Sequence, residues 1–373
     1  MRTDYKVLGE YIRLVDRRNK DLSITNLLGV SIEKRFIPSI ANIIGTDLSS
    51  YKVVRTGQFA YGPVTSRNGE KISIAYLDGE DCIISSSYTV FEVAKKDQLD
   101  SEYLMLWFSR PEFDRYARYK SHGSVREIFD WDELCMVELP VPSIEEQRNI
   151  VKAYKTITNR IALKKQINDN LEATAQAYFD HLFFGSSETN CTLADIAEVN
   201  PTRPLRKGEK ARCFDMATLP TKGCIPSGDE IKPYNGGVRF TNGDTLIARI
   251  TPCLENGKAA YINLLKEGEV AFGSTEYIVF ASKDAVPSSF YYFLIRNSQF
   301  VTFALQFMNG SSGRQRVSGE ELASFPLIKP SPDSLKAFDK VGAMVLEQMK
   351  ENTLEIQELK QLQEIITATL SSR

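Results

Sequence analysis

Histidine occurs only at His122 and His181 in the 373 residues, and none of the six cysteines (Cys82, Cys135, Cys191, Cys213, Cys224, Cys253) forms a CxxC pair. A structural zinc site is therefore not expected, because such sites gather four thiolate or imidazole ligands at short spacings. Scattered single cysteines without a signal sequence fit a reducing compartment, and no apolar run approaches the roughly 18 residues of a membrane span. A cytoplasmic chain with no membrane partner is the expectation. Charge of one sign is also lacking: 46 Lys and Arg against 48 Asp and Glu leave a formal −2, so any nucleic-acid surface has to be local. The phosphate loop GxxxxGK followed by Ser or Thr is missing, which argues against an intrinsic ATPase motor. Base methylation commonly shows an Asn/Asp-Pro-Pro-aromatic run beside a glycine-rich cofactor loop. Asn200-Pro201-Thr202-Arg203 comes nearest, lacks the second proline and the aromatic, and reads as a turn.

What is present is a duplication. Gly79, Glu80, Ser86 and Tyr88-Thr89-Val90-Phe91 reappear as Gly268, Glu269, Thr275 and Tyr277-Ile278-Val279-Phe280, a shift of 189 residues. Gly57-Gln58-Phe59-Ala60 answers to Gly243-Asp244-Thr245-Leu246 at a shift of 186, and Asn68-Gly69 to Asn256-Gly257 at 188. Such drift is what loop insertions produce. β-Branched and aromatic residues around Tyr88 and Tyr277 predict strands, and the preceding glycines predict turns. Apolar residues such as Leu104, Trp107, Phe108 and Phe293, Leu294, Phe300 predict one core-facing helix from Glu102 to Tyr119 and another from Ser288 to Met308. Each copy then has a polar loop and a proline-marked stop, at Pro140 and Pro142 and at Pro326 and Pro330.

Beyond each stop lies a heptad seam. Ile150, Tyr154, Ile157, Ile161, Lys164, Asn168, Leu171, Ala175, Tyr178 and Leu182 step by four and three. Adding 188 to each gives Phe338, Gly342, Val345, Met349, Asn352, Ile356, Leu359, Gln363, Ile366 and Leu370. Two helices of about 40 residues, about 60 Å each, are therefore expected to share one register, with Lys164, Asn168 and Asn352 as polar register-fixing positions. The fold expectation is α+β: two pseudo-repeated mixed modules, 1–143 and 185–331, separated and joined by coiled-coil helices over 144–184 and 332–373.

Catalytic constellations do not assemble. Pro332-Asp333 with Glu358-Leu359-Lys360 imitates a metal-dependent nuclease, yet on one helix the two carboxylates stand about 38 Å apart. His122 has no paired nucleophile or orienting acid in sequence. The polar loops instead suggest binding. Ser121, His122, Gly123, Ser124 and Arg126 in one, and Gly310, Ser311, Ser312, Arg314, Gln315 and Arg316 in the other, combine small residues with side chains able to read base edges. Arg55, Arg67, Lys71 and Lys120 support the first loop, and Arg203, Arg249 and Lys258 the second. Double-stranded DNA is the expected ligand.

The chain resembles the specificity subunit of type I restriction-modification systems along essentially its whole length. The stretch containing Asn19 to Gly29, then Gly45-Thr46-Asp47 and Leu48 through Tyr51, is similar to the start of many such subunits, as is a helix opening with Glu145-Glu146-Gln147 and Ile150-Val151. The second copy departs there, reading Asp333-Ser334-Leu335-Lys336. The resemblance implies two target-recognition domains, each reading half of a split asymmetric DNA site. The helices would pair antiparallel as a ruler and a docking surface. It places catalysis in partners: two modification subunits using S-adenosylmethionine to methylate adenine, and restriction subunits using ATP and magnesium. This chain would then hold no cofactor and no enzyme activity. A single-chain restriction or modification enzyme, or a coiled-coil adaptor without a DNA role, are the alternatives, separated by cofactor-dependent activity and by salt-sensitive duplex binding.

Overall fold

The structure, a computed structural model, describes residues 5–39, 45–66, 68–123, 126–185, 189–311 and 313–370. It divides into two compact units, Met1–Arg160 with Leu359–Arg373, and Ile161–Glu358.

The first unit carries β1 (Tyr5–Val7), β2 (Ile12–Val15), β3 (Leu28–Val30), β4 (Phe36–Pro38), β5 (Lys52–Val54), β6 (Phe59–Tyr61), β7 (Ile74–Tyr76), β8 (Cys82–Ile84) and β9 (Thr89–Val93). Then come α1 (Ser101–Phe108), α2 (Pro111–Lys120), α3 (Trp131–Cys135), β10 (Glu138–Pro140) and the start of the long α4 (Ile144–Phe183). After α4 follow β11 (Cys191–Thr192), α5 (Leu193–Ile196), β12 (Ala197–Val199), β13 (Lys210–Phe214), β14 (Glu230–Pro233), β15 (Val238–Phe240), β16 (Thr245–Ala248), β17 (Ala259–Tyr261), β18 (Ala271–Gly273) and β19 (Tyr277–Ser282). The chain ends through α6 (Ser289–Arg296), α7 (Ser298–Gln306), α8 (Gly319–Ala323), β20 (Pro326–Leu327) and α9 (Pro332–Thr369).

Strand pairing repeats with the sequence. The order β2-β9-β6-β7 in one module is matched by β12-β19-β16-β17 in the other. Register agrees as well: Phe59 faces Phe91, and their counterparts Thr245 and Phe280 face each other. Leu27 meets Ile83 in a parallel bridge, and Cys213 meets Phe272 in the same sense. In each module the first strand closes on the last, β1 on β10 and β11 on β20. The modules are thus two copies of one α+β topology.

Leu104, Trp107, Phe108, Phe293, Leu294 and Phe300 are buried, as their spacing requires. Phe59 stacks on Phe91 at 4.9 Å and meets Phe108 edge-on at 6.0 Å, so sheet and helix share one aromatic core. The single helices expected over Glu102 to Tyr119 and Ser288 to Met308 are each two. Pro111 opens α2, and a residue before proline is pushed out of the helical region, so Arg110 is extended at ψ 141°. Asn297 breaks the other helix: it is extended, and its side chain accepts from the amides of Gln299 and Phe300 as the N-cap of α7.

All twenty seam positions, nineteen on α4 and α9 and Leu370 just past the end of α9, are withdrawn from full solvent exposure. Within the second unit the helices run antiparallel: Lys164 Nζ donates to Asn352 Oδ1 at 2.8 Å, whereas Tyr178, further along α4, packs on Phe338, near the start of α9. Asn352 is 1 % exposed. Its Nδ2 donates to Asn168 Oδ1 at 2.7 Å, Asn168 Nδ2 donates to the Met349 carbonyl and Thr353 Oγ1, and Lys164 also meets Glu355 at 2.9 Å. A buried polar layer satisfied in this way favours one register over its neighbours, since a slip strands every member. Ile161, Leu171, Val345, Met349 and Ile356 flank it as apolar seam, while Ile150, Ile157 and Leu359 belong to the stretch in the first unit. There Gln147, fully buried, accepts from the Asp100 amide and donates to the carbonyls of Gln98 and Pro142, seating the first turn of α4 on its module.

Candidate nucleic-acid interface

The two polar loops share a backbone framework. After α2, His122 and Ile128 exchange backbone hydrogen bonds of 3.0 and 2.9 Å, the Thr65 amide donates to the Glu127 carbonyl, and the Phe129 amide donates to that of Pro63. After α7, Asn309 and Arg316 make the same exchange at 3.0 and 2.9 Å, Thr251 donates to Gln315, and Val317 donates to Arg249. Each loop is therefore a short hairpin laid against the turn that follows a central strand, β6 or β16. The glycines serve the turn. Gly123 (φ 136°) and Gly310 (φ 128°) occupy backbone conformations closed to side chains, and a Cβ on Gly123 would lie 2.1 Å from the Arg126 carbonyl oxygen.

The candidate side chains fall into two groups. Arg55, Arg126 and Arg314 are exposed, and among the described residues their guanidinium groups make no ion pair or hydrogen bond within the chain. Gln315 is half-buried, and its backbone amide donates to Thr251 Oγ1 at 3.1 Å. The others are engaged. Lys71 pairs with Glu33 at 3.0 Å, and Lys120 with Glu133 at 3.2 Å, which raises its pKa; His122 Nε2 lies 3.8 Å from the same carboxylate. Ser121 Oγ donates to the Ala117 carbonyl and accepts from Thr65 Oγ1. Arg203 meets buried Asp244 at 2.7 Å, and burial pushes that carboxyl above its usual range. Lys258 Nζ donates to the Met216 carbonyl at 2.6 Å. Ser311 caps the loop turn by accepting from the Arg314 amide through its carbonyl. Arg67, Ser124 and Ser312 lie outside the described residues.

One residue was not among the candidates. Glu276 accepts from Arg316 Nε and Nη2 at 2.8 to 3.0 Å, a side-on bidentate pair, and Arg249 Nε stands 3.8 Å away. Hydrogen bonding to Arg316 is the main reason its carboxyl is held below the usual glutamate range. The available signal was comparative: Glu276 occupies the position of Ser87 in the first copy.

Other sequence features settle as local structure. Asn200 has a left-handed φ of 52°, and its side chain accepts from the Val279 amide, extending the pairing of β12 with β19. Asp333 and Glu358 lie on the same continuous helix, α9. Among the described residues no cluster of three or more His, Cys, Asp or Glu could hold a metal, and no helix is long and apolar enough to cross a membrane.

The chain is thus a duplication: two modules of one topology carry loops of different composition. The family of the type I restriction modification DNA specificity domain matches residues 41–173 and 187–367, one module with its helix each time, and the chain belongs to that family. It is a specificity family, not an enzymatic one. The specificity subunit of the type I restriction enzyme EcoEI from Escherichia coli is 29% identical over 192 residues, 48% of this chain and 32% of the relative. That of EcoAI from the same species is 34% identical over 132 residues, 34% of this chain and 22% of the relative. The matched stretches thus span about a third or less of these relatives. A type I restriction-modification S subunit from M. genitalium shares the fold at a TM-score of 0.62 and 12% identity, over 98% of this chain and 95% of that one.

Proposed function

We propose that this chain is a non-catalytic DNA-reading subunit that recognises a bipartite, asymmetric duplex target, one half-site per module, and docks modification and restriction subunits through α4 and α9. The supporting observation is the shared hairpin framework carrying unlike side chains: the scaffold is repeated, and the residues at its tip, Arg126 in one and Arg314 and Gln315 in the other, are not. Exposed arginine and the half-buried glutamine suit base edges, and arginine also suits phosphates. Arg55 adds positive charge for the backbone, and Lys71, which is paired with Glu33, adds less. Arg203, Arg249, Lys258 and Lys120 act mainly by shaping the loops, since each is engaged within the chain. S-adenosylmethionine, ATP and magnesium belong to the partners in this reading, which operates in the cytoplasm. The division 1–143, 144–184, 185–331 and 332–373 is the functional one: reader, helix, reader, helix.

The test is to express the chain with and without its modification subunits and map N6-methyladenine by single-molecule sequencing. A split motif with two unlike halves, dependent on both proteins, is expected. A continuous motif, or methylation by the chain alone, overturns the reading.

A further inference from the structure

The guanidinium of Arg316 is held as a fixed fork. Its Nε and Nη2 bind Glu276, and its Nη1 donates to the Arg314 carbonyl at 3.1 Å, inside the tip of the loop. Three of five N–H groups are thereby used. The two that remain sit one on each terminal nitrogen, and the side chain is 39% exposed. A buttressed guanidinium loses little rotamer freedom when it meets a ligand, and guanine's O6 and N7 are the acceptors that a two-pronged arginine matches in the major groove. The backbone of Arg316 is fixed too, by its double exchange with Asn309.

Among the described residues the first module has no such device at the equivalent positions. Ile128 stands at the position of Arg316 and Ser87 at that of Glu276. Its loop carries instead an ion pair of Arg118 with Glu127 on the outer surface.

We infer that Arg316 reads a guanine in the half-site of the second module and that Glu276 is the positioning residue that presents it, a specificity element the first module lacks. The inference rests on the proposed DNA-reading function. Its ligand is a guanine major-groove edge in duplex DNA.

The experiment uses the chain in complex with its modification subunits and duplexes carrying the motif found by methylation mapping, with 7-deazaguanine replacing each guanine in turn to delete N7. At one position in one half-site, binding to the wild-type complex weakens about tenfold. At that position the penalty disappears in Arg316→Met and shrinks in Glu276→Gln, while penalties in the other half-site are unchanged. Glu276→Gln leaves the salt dependence of binding as it was, because no phosphate contact is lost. Should Arg316→Met not fold, the wild-type complex and Glu276→Gln still decide. A motif with no guanine sensitive to deaza substitution, or a sensitivity that Glu276→Gln leaves intact, overturns the inference. A split motif with that result keeps the proposed function, whereas the absence of a split motif removes both.

Discussion

The two modules solve one packing problem with opposite chemistry. In the first, Lys34, on the connection between β3 and β4, sends its ammonium to the Phe108 carbonyl at the end of α1 and to Asp114 on α2, each at 2.6 Å. Asp114 also accepts from the Ile72 amide, in the stretch after Asn68-Gly69. In the second, Arg296, the last residue of α6, donates to the carbonyls of Thr221 and Gly223 in the β13–β14 connection and to that of Gly257, after Asn256. The same three segments are tied, but the cation comes from the loop in one copy and from the helix in the other. The lysine needs a carboxylate partner beside it; the arginine, with five donors, satisfies three carbonyls and still lies 3.6 Å from Glu172 of α4. Burial pushes the Lys34 pKa down despite Asp114. For Arg296 burial acts the same way, but Tyr292 and Glu172 outweigh it and the net shift is upward. Duplicated topology therefore conserves where a charge is needed and leaves open which side supplies it.

The largest expected effect breaks that comparison on the arginine side. Arg296→Met leaves the carbonyls of Thr221, Gly223 and Gly257 without their donor and Glu172 without its nearby cation, and is expected to destabilise the protein by about 3 to 5 kcal/mol, measured by urea unfolding followed by fluorescence. Lys34→Met is expected to cost less, about 2 kcal/mol, because Asp114 keeps the Ile72 amide and burial already opposes the ammonium. An equal loss from both would make the two staples equivalent and remove the distinction drawn here.

Next in size, the loop glycines separate the modules. Gly123→Ala drives a methyl group against the Arg126 carbonyl at 2.1 Å, whereas the nearest atom for Gly310→Ala, the Arg314 carbonyl oxygen, is at 3.2 Å. Both backbone conformations are strained for alanine, at about 1 to 3 kcal/mol, and the first substitution is expected to lower the melting temperature more.

The smallest effect is the acid sensitivity that the Glu276–Arg316 pair adds to the second module. The folded-state pKa of Glu276 lies below its unfolded value, so its contribution is complete above about pH 4.3 and is lost as pH falls through the folded value. Less than about 1 kcal/mol is expected for this partly exposed pair. Glu276→Gln should flatten that part of the stability-against-pH curve, and a curve unchanged by the substitution would show that the pair adds nothing.

Much of the architecture was legible because duplication leaves a numerical trace. The shifts of 186 to 189 located equivalent strands, and the step of four and three located every seam position, since burial along a helix follows its period. The helix breaks were not legible to the same degree. Period alone carries the apolar pattern straight through Pro111 and Asn297, because α1 with α2 and α6 with α7 each bury the same side. Exposed charge in the loops was readable as residue type but not as commitment. Lys258 on the Met216 carbonyl and Arg203 on Asp244 are joined by contacts 42 and 41 residues apart, which spacing does not reveal. Glu276 escaped for a related reason: it sits before a strand, far in sequence from the arginine it holds.

The polar layer of the long helices has an evolutionary reading. Lys164 bonds Asn352, its own counterpart at a distance of 188. In a single-module ancestor associating antiparallel with an identical copy, that position would meet itself, and two lysines would repel. Once both copies lay in one gene, one could become asparagine while the other stayed basic. A mixed layer of this kind is closed to identical halves, and it disfavours association between like halves.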